Sequence, residues 1–158
     1  MDEIPASPNQ TMPTALVVED DPALLDLLAA VLQDAGFTPT CCARGQPALA
    51  ALAGQAFDLL LLDLWLPDLP GFALCQAARE WYGDAPVVIL LTADQCVRRW
   101  ITALDLGADD CVGKPFDLEE LLARIAAKRR RAAGSGEPRR TGHPREAAAE
   151  VGRAGAGR

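Results

Sequence analysis

Polar residues able to do chemistry stand directly behind aliphatic runs four times in this chain. Glu19 and Asp20 follow Ala15-Leu16-Val17-Val18, Asp63 follows Leu59-Leu60-Leu61-Leu62, Thr92 follows Val87-Val88-Ile89-Leu90-Leu91, and Lys114 follows Cys111-Val112-Gly113. Runs apolar throughout suit strands buried on both faces, as when helices cover both sides of a parallel sheet. In such a sheet all four strand ends lie on one edge, the edge where open α/β sheets bind ligands. Three carboxylates gathered there would repel and raise one another's pKa unless a divalent cation neutralised them. Hard oxygen donors with room for several waters suit Mg²⁺. An ammonium as a point charge and a hydroxyl as a donor are what a phosphoryl group beside such a metal needs. Asp63 is followed by the Pro/Gly-rich stretch Leu64-Trp65-Leu66-Pro67-Asp68-Leu69-Pro70-Gly71. The next helix starts near Gly71, too far along for Asp63 to cap it, so Asp63 is expected to face a crevice.

The elements that must hold these residues alternate along the chain. Pro22 opens a helix with Leu24, Leu25, Leu28, Val31 and Leu32 at helical spacing, Asp21 and Pro22 fit its N-cap and N1 positions, and Gly36 closes it. Because Asp21 is accounted for as a cap, it is left off the metal ligands. A strand over Phe37 to Cys42, a small-residue helix over Pro47 to Ala53 and the strand beginning at Phe57 come next. Then come a helix over Phe72 to Trp81, the Val87 strand, a helix over Cys96 to Leu106 stopped by Gly107, and a short last strand. In the final helix Asp117 and Glu120 make a capping box, Phe116 staples onto Leu121, and the apolar face is Leu118, Leu121, Leu122 and Ile125. Five strands alternating with five helices predict an α/β fold with a five-stranded parallel sheet, right-handed crossovers and helices on both faces.

The chain of 158 residues is long enough for one domain with a substantial core. Residues 1–13 lack periodicity and read as a disordered leader, 14–131 as the folded domain, and 132–158 as a basic disordered tail or truncated linker. No apolar run approaches bilayer-spanning length and the start has no hydrophobic signal region, so a cytoplasmic protein without membrane contact is expected. Five cysteines without CxxC pairs read as buried free thiols. The net charge of −7 divides unevenly: 6 Lys+Arg against 19 Asp+Glu up to residue 127, and 9 against 3 beyond it. An acidic body argues against nucleic-acid binding by the domain itself, and Lys128-Arg129-Arg130-Arg131 reads first as a solvated helix end suited to the helix dipole.

Taken together and in order, Val-Val-Glu-Asp-Asp-Pro, Leu-Leu-Asp-Leu-Trp-Leu-Pro, Leu-Leu-Thr-Ala and Gly-Lys-Pro-Phe resemble the receiver domain of two-component response regulators over residues 14–131. The resemblance implies a flavodoxin-like (βα)5 receiver fold and a phosphorylation-dependent signalling switch. It implies that Asp63 accepts a phosphoryl group from a sensor histidine kinase, that Glu19, Asp20 and Asp63 bind Mg²⁺, and that Thr92 and Lys114 hold the phosphoryl oxygens. A cis Lys114-Pro115 bond is also implied. The stretch from Leu104 to Cys111, with Glu120, Leu121 and Arg124, resembles the winged-helix (OmpR/PhoB-type) branch. That likeness implies a homodimer through the fourth helix, fifth strand and fifth helix, with Asp110 and Arg124 as its ion pair, Ile101, Leu104 and Leu122 as its apolar patch, and Glu120 beside them. Two positions depart from the pattern. Cys111 stands where the family usually has a switch tyrosine or phenylalanine that works with Thr92, and Trp100 stands where the branch usually has an arginine facing Glu120.

A winged-helix domain needs on the order of a hundred further residues, and the 27 after Arg131 do not supply it. The chain is therefore either a single-domain regulator or the receiver part of a longer transcription regulator, with DNA a partner only if such an effector domain exists. A phosphohydrolase using Asp63 as nucleophile is a remote alternative. Such enzymes usually carry a second acid two residues on, where this chain has Trp65.

Overall fold

Aliphatic runs bounded by turn formers give the strands their two buried faces, and the alternation of side chains decides which helix each strand residue meets. The structure, a computed structural model, describes residues 11–93, 102 and 104–134. Its strands are β1 (Thr14–Val18), β2 (Thr38–Cys42), β3 (Leu59–Asp63), β4 (Val87–Thr92) and β5 (Asp110–Gly113). Its helices are α1 (Pro22–Asp34), α2 (Gly45–Gly54), α3 (Gly71–Tyr82) and a C-terminal helix (Leu118–Gly134). Of the helix expected over Cys96 to Leu106, the described residues Thr102, Leu104 and Asp105 are helical, and Gly107 follows with a φ of 104°. Residues 96–101 and 103 of that segment, Trp100 and Ile101 among them, lie outside the described residues.

All strand pairs are parallel, in the order β2-β1-β3-β4-β5. The chain thus builds outward from β1 to β2, then reverses and adds β3, β4 and β5 on the other side. That reversal makes the gap between β1 and β3 the topological switch point, where a crevice opens beyond the strands' carboxyl ends. Leu16, Val18, Leu60, Leu62, Val88, Leu90 and Cys111 bury one face of the sheet against Ala48 and Leu52 of α2 and Leu74, Cys75 and Ala78 of α3. Ala15, Val17, Leu59, Leu61, Ile89, Leu91 and Val112 bury the other against Leu28 and Leu32 of α1 and Leu121 and Ile125 of the C-terminal helix. No helix among the described residues is long and apolar enough to cross a membrane.

Of the thiols expected to be buried, Cys75 and Cys111 are, but Cys41 on the edge strand β2 is exposed, and several boundaries differ from the sequence reading. The third strand begins at Leu59 instead of Phe57, and Asp58 instead gives its carboxylate to the Thr14 backbone N–H at 2.9 Å. The second strand begins at Thr38, because Phe37 is still closing α1 through its N–H to the Leu32 carbonyl. Helix α2 starts at Gly45, two residues before Pro47, and the C-terminal helix runs on to Gly134, three residues past the expected domain end. The capping box at Asp117 forms only in half. Asp117 accepts from the Glu119 and Glu120 N–H groups, but the Glu120 carboxylate turns to Arg124 at 2.9 Å instead of reaching back to the cap. An available guanidinium one turn along is the stronger partner for an ionised carboxylate.

Candidate functional site

Register brings the first two acids to the third. Val18 pairs with Leu62, so the next residues on the two strands, Glu19 and Asp63, emerge side by side at the switch point. Glu19, Asp63 and Lys114 share the strand parity of Val17, Leu61 and Val112 and so rise on the α1 side of the sheet. Ladder-like bonds carry the pairing past the strand ends: Glu19 N–H to the Cys42 carbonyl at 3.1 Å, Leu64 N–H to Leu91 at 2.8 Å, and Lys114 N–H to Thr92 at 2.7 Å. The Lys114-Pro115 peptide bond is cis, as the resemblance implies. Asp21 caps α1 through the Ala23 N–H at 3.1 Å, which leaves it as a helix cap.

One oxygen from each of Glu19, Asp20 and Asp63 lies within 4.8 Å of the others, with Glu19 and Asp63 buried and Asp20 exposed at the mouth. The Lys114 ammonium bridges the buried pair, 2.7 Å from Glu19 Oε2 and 3.3 Å from Asp63 Oδ2. Asp63 Oδ1 accepts from the Trp65 N–H at 3.1 Å, and Glu19 Oε1 from the Asp21 N–H at 3.3 Å. Burial pushes both carboxyls above their ordinary range. Lys114 and backbone donors offset part of that, while the Glu19–Asp63 proximity and the Asp20 carboxyl add to it. Burial pulls the Lys114 ammonium down, but its hydrogen bond to Glu19 and the charges of Asp63 and Glu19 outweigh this and hold it above its ordinary value. One cation among three converging acids leaves uncompensated negative charge, and the donors are all hard oxygens. The residues present therefore fit a small divalent cation such as Mg²⁺.

Thr92 is fully buried at the end of β4, on the same strand parity as Leu90, whose Cα partner across the ladder is Cys111. The expected switch pair thus shares one face of the sheet, the face packed on α2 and α3. Burial, with the Asp110 charge behind it, pushes the Cys111 thiol up to about 11, which makes it a packing group and a poor nucleophile. Of the expected dimer face, Leu104 is 46% exposed. Arg124 forks within the chain to Asp110 at 3.0 Å and to Glu120 at 2.9 Å, and Leu122 packs against the core on the α1 side. Trp100 and Ile101 lie outside the described residues.

Three contributors escaped the sequence reading. Gly71 sits where an added Cβ would lie 2.3 Å from the Asp63 carbonyl oxygen, so its missing side chain lets α3 start against the end of β3. Asp68 crosses 23 residues to accept from the Gly45 N–H at 2.7 Å and, with its second oxygen, from Gln46 at 2.8 Å. It thereby caps α2, whose own Arg44 makes no side-chain cap. Those bonds hold its carboxyl below the usual range. Arg79 binds the Gly83, Pro86 and Gly107 carbonyls and the Asp109 carboxylate at 2.7 to 3.0 Å, and Asp109 accepts from the Val88 N–H at 2.7 Å. This hub sets where β4 and β5 begin. A Gly after a loop and an Asp inside it are the only sequence signals for the first two, and neither names its distant partner.

A family model described as response regulator receiver domain matches residues 15–126. The transcriptional regulatory protein TcrA of Mycobacterium tuberculosis is 44% identical over 116 residues, 73% of this chain and 46% of TcrA. The DNA-binding dual master transcriptional regulator RpaA of Synechocystis is 41% identical over 128 residues, 76% of this chain and 50% of RpaA. The chain therefore spans about half the length of the curated relatives it matches. Among solved structures, a CheY-like receiver domain protein from Methanospirillum hungatei aligns with a TM-score of 0.75 at 28% identity, covering 80% of this chain and all of that one. The beryllofluoride-activated DrrB receiver domain aligns with a TM-score of 0.69 at 33% identity, covering 75% and 97%.

Proposed function

The chain belongs to the response regulator receiver family, and on that premise we propose that Asp63 is the phosphoacceptor of this receiver, charged by a sensor histidine kinase in the cytoplasm. The carrying observation is the convergence of the Glu19, Asp20 and Asp63 oxygens with the Lys114 ammonium at the switch point. In the transfer, an Asp63 carboxylate oxygen attacks the phosphorus of a phosphohistidine, a P–O bond forms, and the P–N bond's electron pair returns to the imidazole. The Trp65 N–H holds Oδ1, which fixes the carboxylate's rotation and leaves Oδ2 toward Lys114. Lys114 is placed to follow the negative charge from the carboxylates to the arriving phosphoryl oxygens, and Thr92 to donate its hydroxyl to them. Glu19, Asp20 and Asp63 would hold Mg²⁺, whose charge when bound offsets that of the acids and the phosphoryl group.

The test is labelling with acetyl phosphate or a kinase. Wild type should label only with Mg²⁺ present, and Asp63→Asn should not label at all. Labelling that persists in Asp63→Asn or proceeds unchanged in EDTA refutes the assignment.

The half-length match to relatives named as transcriptional regulators favours a second reading of the output, a receiver part of a longer winged-helix regulator that binds DNA. The downstream reading frame decides between this and a single-domain regulator. Exposed Leu104 and the Asp110–Arg124–Glu120 network support a homodimer on the fourth-helix, β5 and C-terminal-helix face. Because Arg124 is already paired within one chain, an exchange of partners across that face would add little net energy, and its apolar residues would carry the affinity.

A further inference from the structure

The side of the molecule away from the acidic crevice holds a cleft of about 440 Å³ that the phosphoacceptor role does not use. Its walls are Ala35 and Phe37 after α1, and Leu122, Ile125, Arg129 and Arg130 on the C-terminal helix. Its floor is apolar. Its rim carries two guanidiniums, one of them with its Arg129 Cζ 5.0 Å from the Phe37 ring centroid. Among the described residues neither arginine has a carboxylate partner. The cleft thus suits a short ligand with an aliphatic side chain next to negative charge.

We propose that the occupant is this chain's own leader, with Ile4 in the cleft and Asp2 and Glu3 against Arg129 and Arg130. Two observations select it. The Pro13 carbonyl accepts from the Thr38 N–H at 2.8 Å, so the chain enters β1 one residue away from the cleft wall at Phe37. Met12, 57% exposed, precedes it on the same path. The residues between Ile4 and Thr11 span up to about 25 Å when extended, enough to pass a helix of about 10–12 Å diameter. Charge is the second discriminator. Residues 1–10 contain two acids and no Lys or Arg, whereas residues 135–158 contain five arginines against three glutamates and would be repelled by the same rim. Ion pairs at an exposed rim contribute little alone, so most of the affinity would come from the Ile4 side chain and from the high effective concentration of a tethered segment.

Methyl NMR on the full chain tests this, with the Ile125 methyl reporting the cleft and Ile89, buried in β4, reporting the fold. An Ile4–Ile125 methyl cross-peak is expected. It should weaken in Asp2→Asn with Glu3→Gln and weaken with salt, and Ile4→Ser should move the Ile125 resonance as the deletion of residues 1–10 does. Removing residues 1–10 should shift Ile125 and leave Ile89 in place. A missing cross-peak with an Ile125 resonance indifferent to the deletion overturns the proposal. So does an Ile125 shift produced instead by removing 135–158, which would name the tail, or one that scales with protein concentration, which would name a second copy.

Discussion

Gly71→Ala should damage both stability and phosphorylation, although the substitution lies eight residues from the proposed acceptor, Asp63, in sequence. An ideal Cβ at Gly71 falls 2.3 Å from the Asp63 carbonyl oxygen and 3.0 Å from the Leu64 Cα, where contacts under 3.0 Å essentially never occur. Something must give by about 0.7 Å to reach that limit, and both neighbours are backbone atoms. Asp63 is held in the middle of the sheet by its pairing with β4, while Gly71 is itself tied by its N–H to the Leu64 carbonyl at 2.8 Å. Overpacking of this kind costs about 1–3 kcal/mol. For a domain of this size that is a fall on the order of 5–10 °C in Tm. Displacing a reacting group by about 1 Å can cost about a hundredfold in rate, so a shift shared between strand and helix should slow acetyl phosphate labelling of Asp63 by about tenfold. Calorimetry and initial labelling rates measure the two effects. Gly54→Ala is the control: an added Cβ there meets nothing within 4 Å, and alanine at a helix end should leave Tm unchanged or slightly raised. A Gly71→Ala chain with wild-type Tm and labelling rate would refute the close-approach argument.

Asp20→Asn should weaken Mg²⁺ binding at least tenfold by calorimetric titration yet leave the Tm of the metal-free chain within a few degrees, since Asp20 is exposed; a large Tm loss would make it structural. Stabilisation by Mg²⁺ should grow with pH. Burial raises the Asp63 and Glu19 carboxyls in the fold, so their contribution to metal-free stability is full below the unfolded pKa and lost as pH rises through the raised folded values. The cation needs the ionised forms, so the Mg²⁺-induced rise in Tm should be larger at about pH 7.5 than at about pH 5, and equal rises would argue against those acids as ligands. Beryllofluoride should bind at Asp63 yet change the monomer–dimer equilibrium by less than about tenfold, because Cys111 has no ring to turn inward when Thr92 moves; full switching requires about 5.5 kcal/mol of differential interaction. Sedimentation with and without the mimic measures it, and a sharp conversion to dimer would show that Cys111 suffices.

The residues of the site were legible because each stands at a change of pattern. An apolar run that ends in Asp63 or Lys114 marks a strand end whatever the rest of the chain does, and α/β alternation then puts every such end on one edge. Asp21 as a cap was equally local, since a cap bonds two residues on. Local signals failed where the partner is distant. The Asp68 that caps α2, the Gly71 that meets Asp63 and the Arg79 that gathers Gly107 and Asp109 are ordinary loop and helix residues until the fold brings their partners to them. The half-formed capping box shows the same limit, because its motif fits the sequence while Arg124 and Asp110, brought together by packing, settle where the Glu120 side chain goes. Strand order was beyond the periodicity, which gives each strand its faces but not its neighbours. Only the reversal at β1 sets Glu19 beside Asp63, and only the tertiary fold brings Lys114, three strands away from β1, within 2.7 Å of Glu19.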